Sequence, residues 1–171
     1  LEHRNPTIDW RQRTMKFREE NIIVEINGVG DPLLLAFIEP IVSRLGVEDV
    51  MLLDVTKPEI VDDVFSQIDA KYGKLDFAIH SMAFAKRDDL HGRVVDTSAD
   101  GFALAMDVST HSFVRLARKA EPLLEKAGGG SLITMTYLGS EKVITNYGMM
   151  GLCKAALEAA TRYMAFELGA K

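Results

Sequence analysis

The sequence predicts an α/β domain, a parallel β-sheet with helices on both faces, on three observations. Four short β-rich runs stand at residues 22–26, 50–54, 75–80 and 132–137. Helical patterns occupy the stretches between the later runs. The last three runs are nearly continuous in apolar character, as strands covered on both faces are. Strands and helices alternating at these lengths are joined by crossovers, which makes the sheet parallel.

Taken in order, the first run draws on Ile22, Ile23, Val24 and Ile26, residues that fit a pleated surface. The second ends at Asp54, and Thr56-Lys57-Pro58-Glu59 follows with the form of a capping box, Pro58 standing in the permissive first turn. Ile60, Val64, Ile68 and Tyr72 then recur every four residues until Gly73, a C-terminal stop. After the third run, Phe102, Met106, Phe113, Leu116 and Leu123 form a stripe over about 98–124. Gly128-Gly129-Gly130 breaks the chain before the fourth run, and a last helix rich in Ala, Leu and Met covers about 147–168. Ligands in such folds bind at the carboxyl ends of the strands. That singles out Asn27, Asp54 with Val55, His80 with Ser81, and Thr136 with Tyr137.

Composition narrows the function classes. A chain of 171 residues, 47% hydrophobic and 26% charged, reads as one globular domain over 1–171 with a real core. Its net charge of -5 gives no overall attraction for nucleic acid or an anionic membrane. No apolar run is long enough to span a bilayer, and the first six residues hold no signal-peptide core. The sole cysteine, Cys153, precludes an intrachain disulfide and reads as a buried helix residue. A cytoplasmic location is expected. His80, His91 and His111 lack metal-ligand spacing and read as structural or exposed.

The chemistry concentrates in Tyr147 and Lys154. Seven residues make almost two helical turns, which puts both side chains on one face about 10 Å apart along the axis. Lys154 can hydrogen-bond ribose hydroxyls, and its charge favours a lower pKa for a nearby phenol. Tyr147 can stabilise an oxyanion or deliver a proton. Alone, such a pair is common on protein surfaces. Here Tyr137 lies ten residues earlier, at the end of a strand that leads into the same helix.

The segment Thr136-Tyr137-Leu138-Gly139-Ser140-Glu141-Lys142, then Asn146-Tyr147, then Met150-Gly151-Leu152-Cys153-Lys154-Ala155-Ala156-Leu157-Glu158, resembles the active-site segment of bacterial enoyl-acyl-carrier-protein reductases. Ordinary short-chain dehydrogenases have Tyr-x-x-x-Lys with an upstream serine. This chain has the wider spacing and upstream tyrosine of the enoyl reductases, and the resemblance is close from about residue 39 to 171. It implies a Rossmann-like three-layer α-β-α sandwich and NADH as cofactor, with hydride passing to the β-carbon of a trans-2-enoyl thioester carried on acyl carrier protein in fatty acid biosynthesis. By the same resemblance Tyr147 holds the enolate oxygen, Lys154 positions the nicotinamide ribose and Tyr137 lines the acyl site. Asp54 and Val55 lie beside the adenine, Ser81, Met82 and Ala83 pass the cofactor, and Ala85 faces substrate. The family's corresponding helices pack across a homotetramer interface. Read without the resemblance, Asp54 is equally a cap for the loop into the next helix, Ser81 a turn residue and Tyr137 a packing residue.

The family opens with a strand and a glycine loop at the pyrophosphate. Thr7-Ile8-Asp9-Trp10-Arg11 matches that segment faintly, with Asp9 and Arg11 in place of an Ala and a close-approach Gly, so Thr7 and Ile8 alone carry the contact. The other alignment makes 22–26 the first strand and Gly28-Val29-Gly30 its loop. On the first alignment the sheet is incomplete, lacking its first and last strands, and this stretch alone is not expected to turn over substrate. Two other readings stand beside the enoyl reductase: a ketoacyl or other short-chain reductase, which the Tyr–Lys spacing disfavours, and a non-catalytic assembly domain.

Overall fold

The computed structural model describes residues 23–27, 44 and 49–170. The expectations placed on Thr7, Ile8 and the stretch 28–43 lie outside the described residues. The chain divides into two compact units, Leu1–Ile26 with Asp31–Leu52 and Asn27–Gly30 with Leu53–Lys171. The first is built around β1 (Ile23–Asn27) and β2 (Asp49–Leu53), which pair in a two-stranded sheet. The second runs through α1 (Pro58–Tyr72), β3 (Phe77–His80), α2 (Arg87–His91), α3 (Ala99–Met106), α4 (Ser112–Lys126), β4 (Ser131–Thr134) and α5 (Gly148–Leu168). Among the described residues no helix is long and apolar enough to cross a membrane.

β3 and β4 pair in parallel, Phe77 opposite Ser131 and His80 opposite Thr134, as the alternation of elements predicts. Their apolar continuity predicts cover on both faces; among the described residues cover is seen on one. Side chains alternate between faces. Phe77, Ile79, Ile133 and Met135 are exposed, Ile79 to 55%. Leu132 instead packs against the cluster of Phe113, Ala117, Leu157 and Met164, drawn from α4 and α5. A second cluster joins Ala105 of α3 to Met149, Met150 and Cys153 of α5. Burying a side chain the size of Phe113 or Leu157 stabilises the fold by about 1.5–3 kcal/mol.

The first long helix corrects two details. Thr56 does not cap α1; Lys57 holds the N-cap position and makes no side-chain cap bond. The backbone N–H and hydroxyl of Thr56 both donate to Asp54 Oδ1, at 3.0 and 2.6 Å, so a local turn wins the side chain from the helix end. The buried face of α1 is Val61, Val64, Phe65 and Ile68, an i, i+3, i+4, i+7 stripe rotated from the expected fourfold repeat. Gly73 does end the helix, at φ 71°, where a Cβ would be strained.

The long stripe of 98–124 is two helices. Between α3 and α4 the segment Asp107–His111 forms a π-helical turn, which carries an extra residue and shifts the phase of the helix beyond it. Ser98 caps α3 by accepting from Gly101 N–H at 3.0 Å. Gly101 and Ala105 form its buried face, while Phe102, read from the sequence as part of the stripe, is 44% exposed. Beyond the π turn, Phe113, Leu116 and Leu123 are buried as expected.

Candidate active site

The site lies where β3 and β4 end and α5 begins, at the carboxyl edge of the parallel pair. Asn146, at φ 59°, turns the chain into α5, a left-handed conformation that Asn tolerates better than most residues. Tyr147 follows as the N-cap residue, at φ -129° and ψ 13°. It is therefore the entrance to the helix rather than a member of its first turn, as the seven-residue spacing implies. Its ring meets that of Tyr137 edge-on, with centroids 4.9 Å apart and planes at 68°.

Two glycines permit this packing. A Cβ on Gly139 would lie 2.4 Å from Tyr147 Cδ1, and a Cβ on Gly151 would lie 2.7 Å from the Gly139 carbonyl oxygen. Either contact is closer than real side chains make, so the Tyr137 segment lies on α5 only because both positions lack a side chain.

Lys154 is 7% exposed. Its Nζ donates to the Met135 carbonyl at 2.6 Å, which ties the end of β4 to α5. Burial pulls its ammonium below the ordinary lysine value, against a smaller opposing effect from Cys153. The Tyr147 phenol moves the opposite way from the sequence expectation. Burial raises it, and Tyr137 and Cys153 raise it further, because a phenolate there would lose water and face other ionisable groups. The Cys153 thiol, fully buried, is pushed up to about 11, first by burial.

Behind these residues lies a polar network that sequence reasoning missed. His80 is 1% exposed; its Nε2 pairs with Ser112 Oγ at 2.7 Å and its Nδ1 with Thr134 Oγ1 at 2.9 Å. The Ser112 hydroxyl already donates to the Val108 carbonyl at 2.6 Å. Ser112 then accepts from Nε2–H, and the Thr134 hydroxyl, which also lies 3.3 Å from the His80 carbonyl, gives its hydrogen to Nδ1 when the ring is neutral. Burial, then the nearby Lys154 charge, pushes this imidazole down to about 4. The structural reading of His80 holds, and His91 and His111 are exposed.

The π turn supplies the other hydroxyls. Ser109 Oγ accepts from Phe84 N–H at 2.9 Å and donates to the Phe84 carbonyl at 3.0 Å, while Thr110 Oγ1 donates to the Cys153 carbonyl at 2.9 Å. A sequence signal existed: Ser109, Thr110 and Ser112 crowd polar groups into a stretch that a regular apolar stripe would fill.

The remaining sequence candidates stand on two connections. Ser81 and Ala83 are exposed on the loop after β3, and Met82 is buried. Ala85 is half-buried and, like Tyr147, packs on the Met149–Met150–Cys153 cluster. Val55 is buried, and Asp54 is half-buried on the connection into α1. Burial works to raise the Asp54 carboxyl, but hydrogen bonds from the Thr56 side chain and backbone and the charge of Lys57, 3.2 Å away, leave it below its ordinary value. The donor set at the strand ends, a lysine ammonium with N–H groups beyond its Met135 bond, a protonated phenol and the exposed Ser81 hydroxyl, fits the hydroxyls of a dinucleotide cofactor.

A family model described as Enoyl-(Acyl carrier protein) reductase matches residues 12–171. The NADH enoyl-acyl-carrier-protein reductase 1 of Rhizobium meliloti (strain 1021) is 46% identical over 132 residues, 77% of this chain and 48% of that protein. A Nostoc (strain PCC 7120) NADH enoyl-acyl-carrier-protein reductase is 48% identical over 118 residues, 69% of this chain and 45% of its own. Among solved structures, the Anaplasma phagocytophilum reductase in complex with NAD superposes with a TM-score of 0.81 at 39% identity, covering 87% of this chain and 55% of that one. The Aquifex aeolicus reductase gives 0.77 at 36% identity, with 81% and 55% covered. The α/β Rossmann-like fold expected from the sequence is thus the fold of these relatives. The chain spans about half the length of the curated relatives it matches.

Proposed function

Because this chain belongs to the enoyl-(acyl carrier protein) reductase family, we propose that it serves NADH-dependent reduction of trans-2-enoyl thioesters carried on acyl carrier protein, a step of fatty acid biosynthesis. The observation that carries the reading is the Tyr137–Tyr147 ring pair at the mouth of α5, with Lys154 buried two turns along the same helix and bonded to the Met135 carbonyl.

NADH, when bound, supplies the hydride for the β-carbon. The chain's own residues hold and neutralise the charge that results. Tyr147, its phenol raised by burial, stays protonated at neutral pH and donates its O–H to the thioester oxygen as negative charge gathers there. Lys154 is fixed at one N–H by the Met135 carbonyl and keeps others for the ribose hydroxyls. Tyr137, 48% exposed, presents an apolar ring to the acyl chain and limits the rotation of Tyr147. Ala85 adds a small apolar wall on the same side. Asp54, Val55, Ser81, Met82 and Ala83 hold the cofactor along the strand ends.

We place the protein in the cytoplasm as a homotetramer. On α5, Leu152, Ala155, Ala159, Tyr163 and Phe166 fall at successive steps of three or four residues and so share one face. Leu152, Tyr163 and Phe166 are exposed there, and small alanines between them allow a second helix to approach closely.

The test is steady-state kinetics with NADH and a crotonyl thioester in the full-length protein. Tyr147→Phe is expected to lower turnover at least about a hundredfold with little change in NADH affinity, and Lys154→Ala mainly to weaken NADH binding. Parental rates in both variants would sink the assignment.

A further inference from the structure

One face of α5 runs alongside the segment that leaves β4. Gly151, Lys154 and Glu158 stand at i, i+3 and i+7 and therefore line up along one side of the helix. Gly151 meets the Gly139 carbonyl, Lys154 the Met135 carbonyl at 2.6 Å, and Glu158 Oε1 accepts from Thr136 Oγ1 at 2.5 Å. The Ser140 side chain also faces the Glu158 carboxylate and helps to hold its pKa down. One carboxylate thus faces hydroxyls on both sides of Tyr137, one on the stretch that leaves β4 and one at the end of the short 3-10 turn Leu138–Ser140.

We infer that Glu158 is a positioning residue that holds the Tyr137 segment, and through it the Tyr137–Tyr147 pair, in register with Lys154. The inference rests on the reaction proposed above. A carboxylate suits this task because it is acceptor-only and has lone pairs for two donors. Hydroxyl bonds to an ionised acceptor are short and about twice as strong as neutral ones. The hydrogen bonds from Ser140 and Thr136, and then the charge of Arg162, keep the group ionised. Glu158 is half-buried and belongs to neither apolar cluster, so removing it leaves both intact. The change falls on the placement of two rings, and misplacement by about 1 Å can cost a hundredfold in rate.

The experiment compares Glu158→Ala and Glu158→Gln with the parent in the full-length protein. It measures kcat, the KM for NADH and for a crotonyl thioester, and amide hydrogen exchange. Glu158→Ala is expected to lower kcat about 10- to 100-fold with the NADH KM within about twofold of parental. The amides of Ser140 and Glu141, which close the 3-10 turn onto the Tyr137 and Leu138 carbonyls, should exchange faster while those of α5 do not. Glu158→Gln, which keeps an acceptor, should recover most of both properties. A Glu158→Ala enzyme within twofold of parental kcat and with parental exchange overturns the inference. So does a uniform rise in exchange over β4 and α5 that Gln fails to rescue, since that is general destabilisation. A parent inactive on enoyl thioesters would sink the reaction instead, and exchange at Ser140 and Glu141 would still decide whether Glu158 holds the segment.

Discussion

Lowering the pH from 7.5 to 5 is expected to remove about 2 kcal/mol of stability through His80 alone. The imidazole is buried between β3, β4 and α4 with both nitrogens bonded, and its pKa is pushed from 6.5 down to about 4, first by burial and then by Lys154. In the unfolded chain it takes a proton below about 6.5, whereas the native protein refuses one until about pH 4. The neutral ring therefore contributes stability that is fully present above 6.5 and lost as the pH falls toward 4. Each unit in that window costs about 1.4 kcal/mol, and the complete loss is about 3 kcal/mol. Other groups titrate over the same range, so the clean measurement is a double difference. Urea unfolding of the parent and of His80→Gln at pH 7.5 and at pH 5 gives two stability gaps. The gap should shrink by about 2 kcal/mol at the lower pH. A gap constant to within about 0.5 kcal/mol would refute the neutral, buried imidazole.

Gly151→Ala should cost about 1–3 kcal/mol, because the new methyl would lie 2.7 Å from the Gly139 carbonyl oxygen; an unchanged urea midpoint would contradict the close approach. Ser109→Ala releases both polar groups of Phe84 and should lower stability by about 1–2 kcal/mol, with faster amide exchange at Phe84 as the local readout. NADH should be preferred to NADPH in kcat/KM, since residues 27–32 hold no Lys or Arg to meet a 2′-phosphate; a clear NADPH preference would overturn this. Light scattering at micromolar concentration should show an oligomer, and substituting Tyr163 and Phe166 by Ser should shift it toward monomer.

The strands and the longer helices were legible because hydrophobic period and glycine placement speak locally, whereas the short helix Arg87–His91 and the break within 98–124 were not. The strand read at 75–80 is Phe77–His80, and the helix read at about 147–168 is Gly148–Leu168. The candidate chemical residues were read from a different signal: the wide Tyr–Lys spacing and the upstream tyrosine are a family pattern rather than a propensity. Features that depend on distant partners escaped. Thr56 has two competing uses, and only the position of Asp54 decides between them. Phe102 fits a helical stripe by spacing, yet the extra residue of the π turn moves the stripe off it. The direction of the Tyr147 shift followed burial, which spacing does not report. Glu158 lay four residues past Lys154 on the same face; that signal was present but had no partner until Thr136 and Ser140 were placed beside it.

The π turn makes the chain unusually sensitive to length at one place. A regular helix is more comfortable for the backbone than an i→i+5 turn, so deleting one residue within Asp107–His111 would mend the main-chain ladder. It would also rotate everything downstream by about 100° and disengage the hydroxyls of Ser109, Thr110 and Ser112 from the Phe84 loop, the α5 carbonyl and His80. Backbone and side chains therefore favour opposite edits. Substitutions across this segment can be absorbed one contact at a time, but a single-residue deletion breaks three moorings at once.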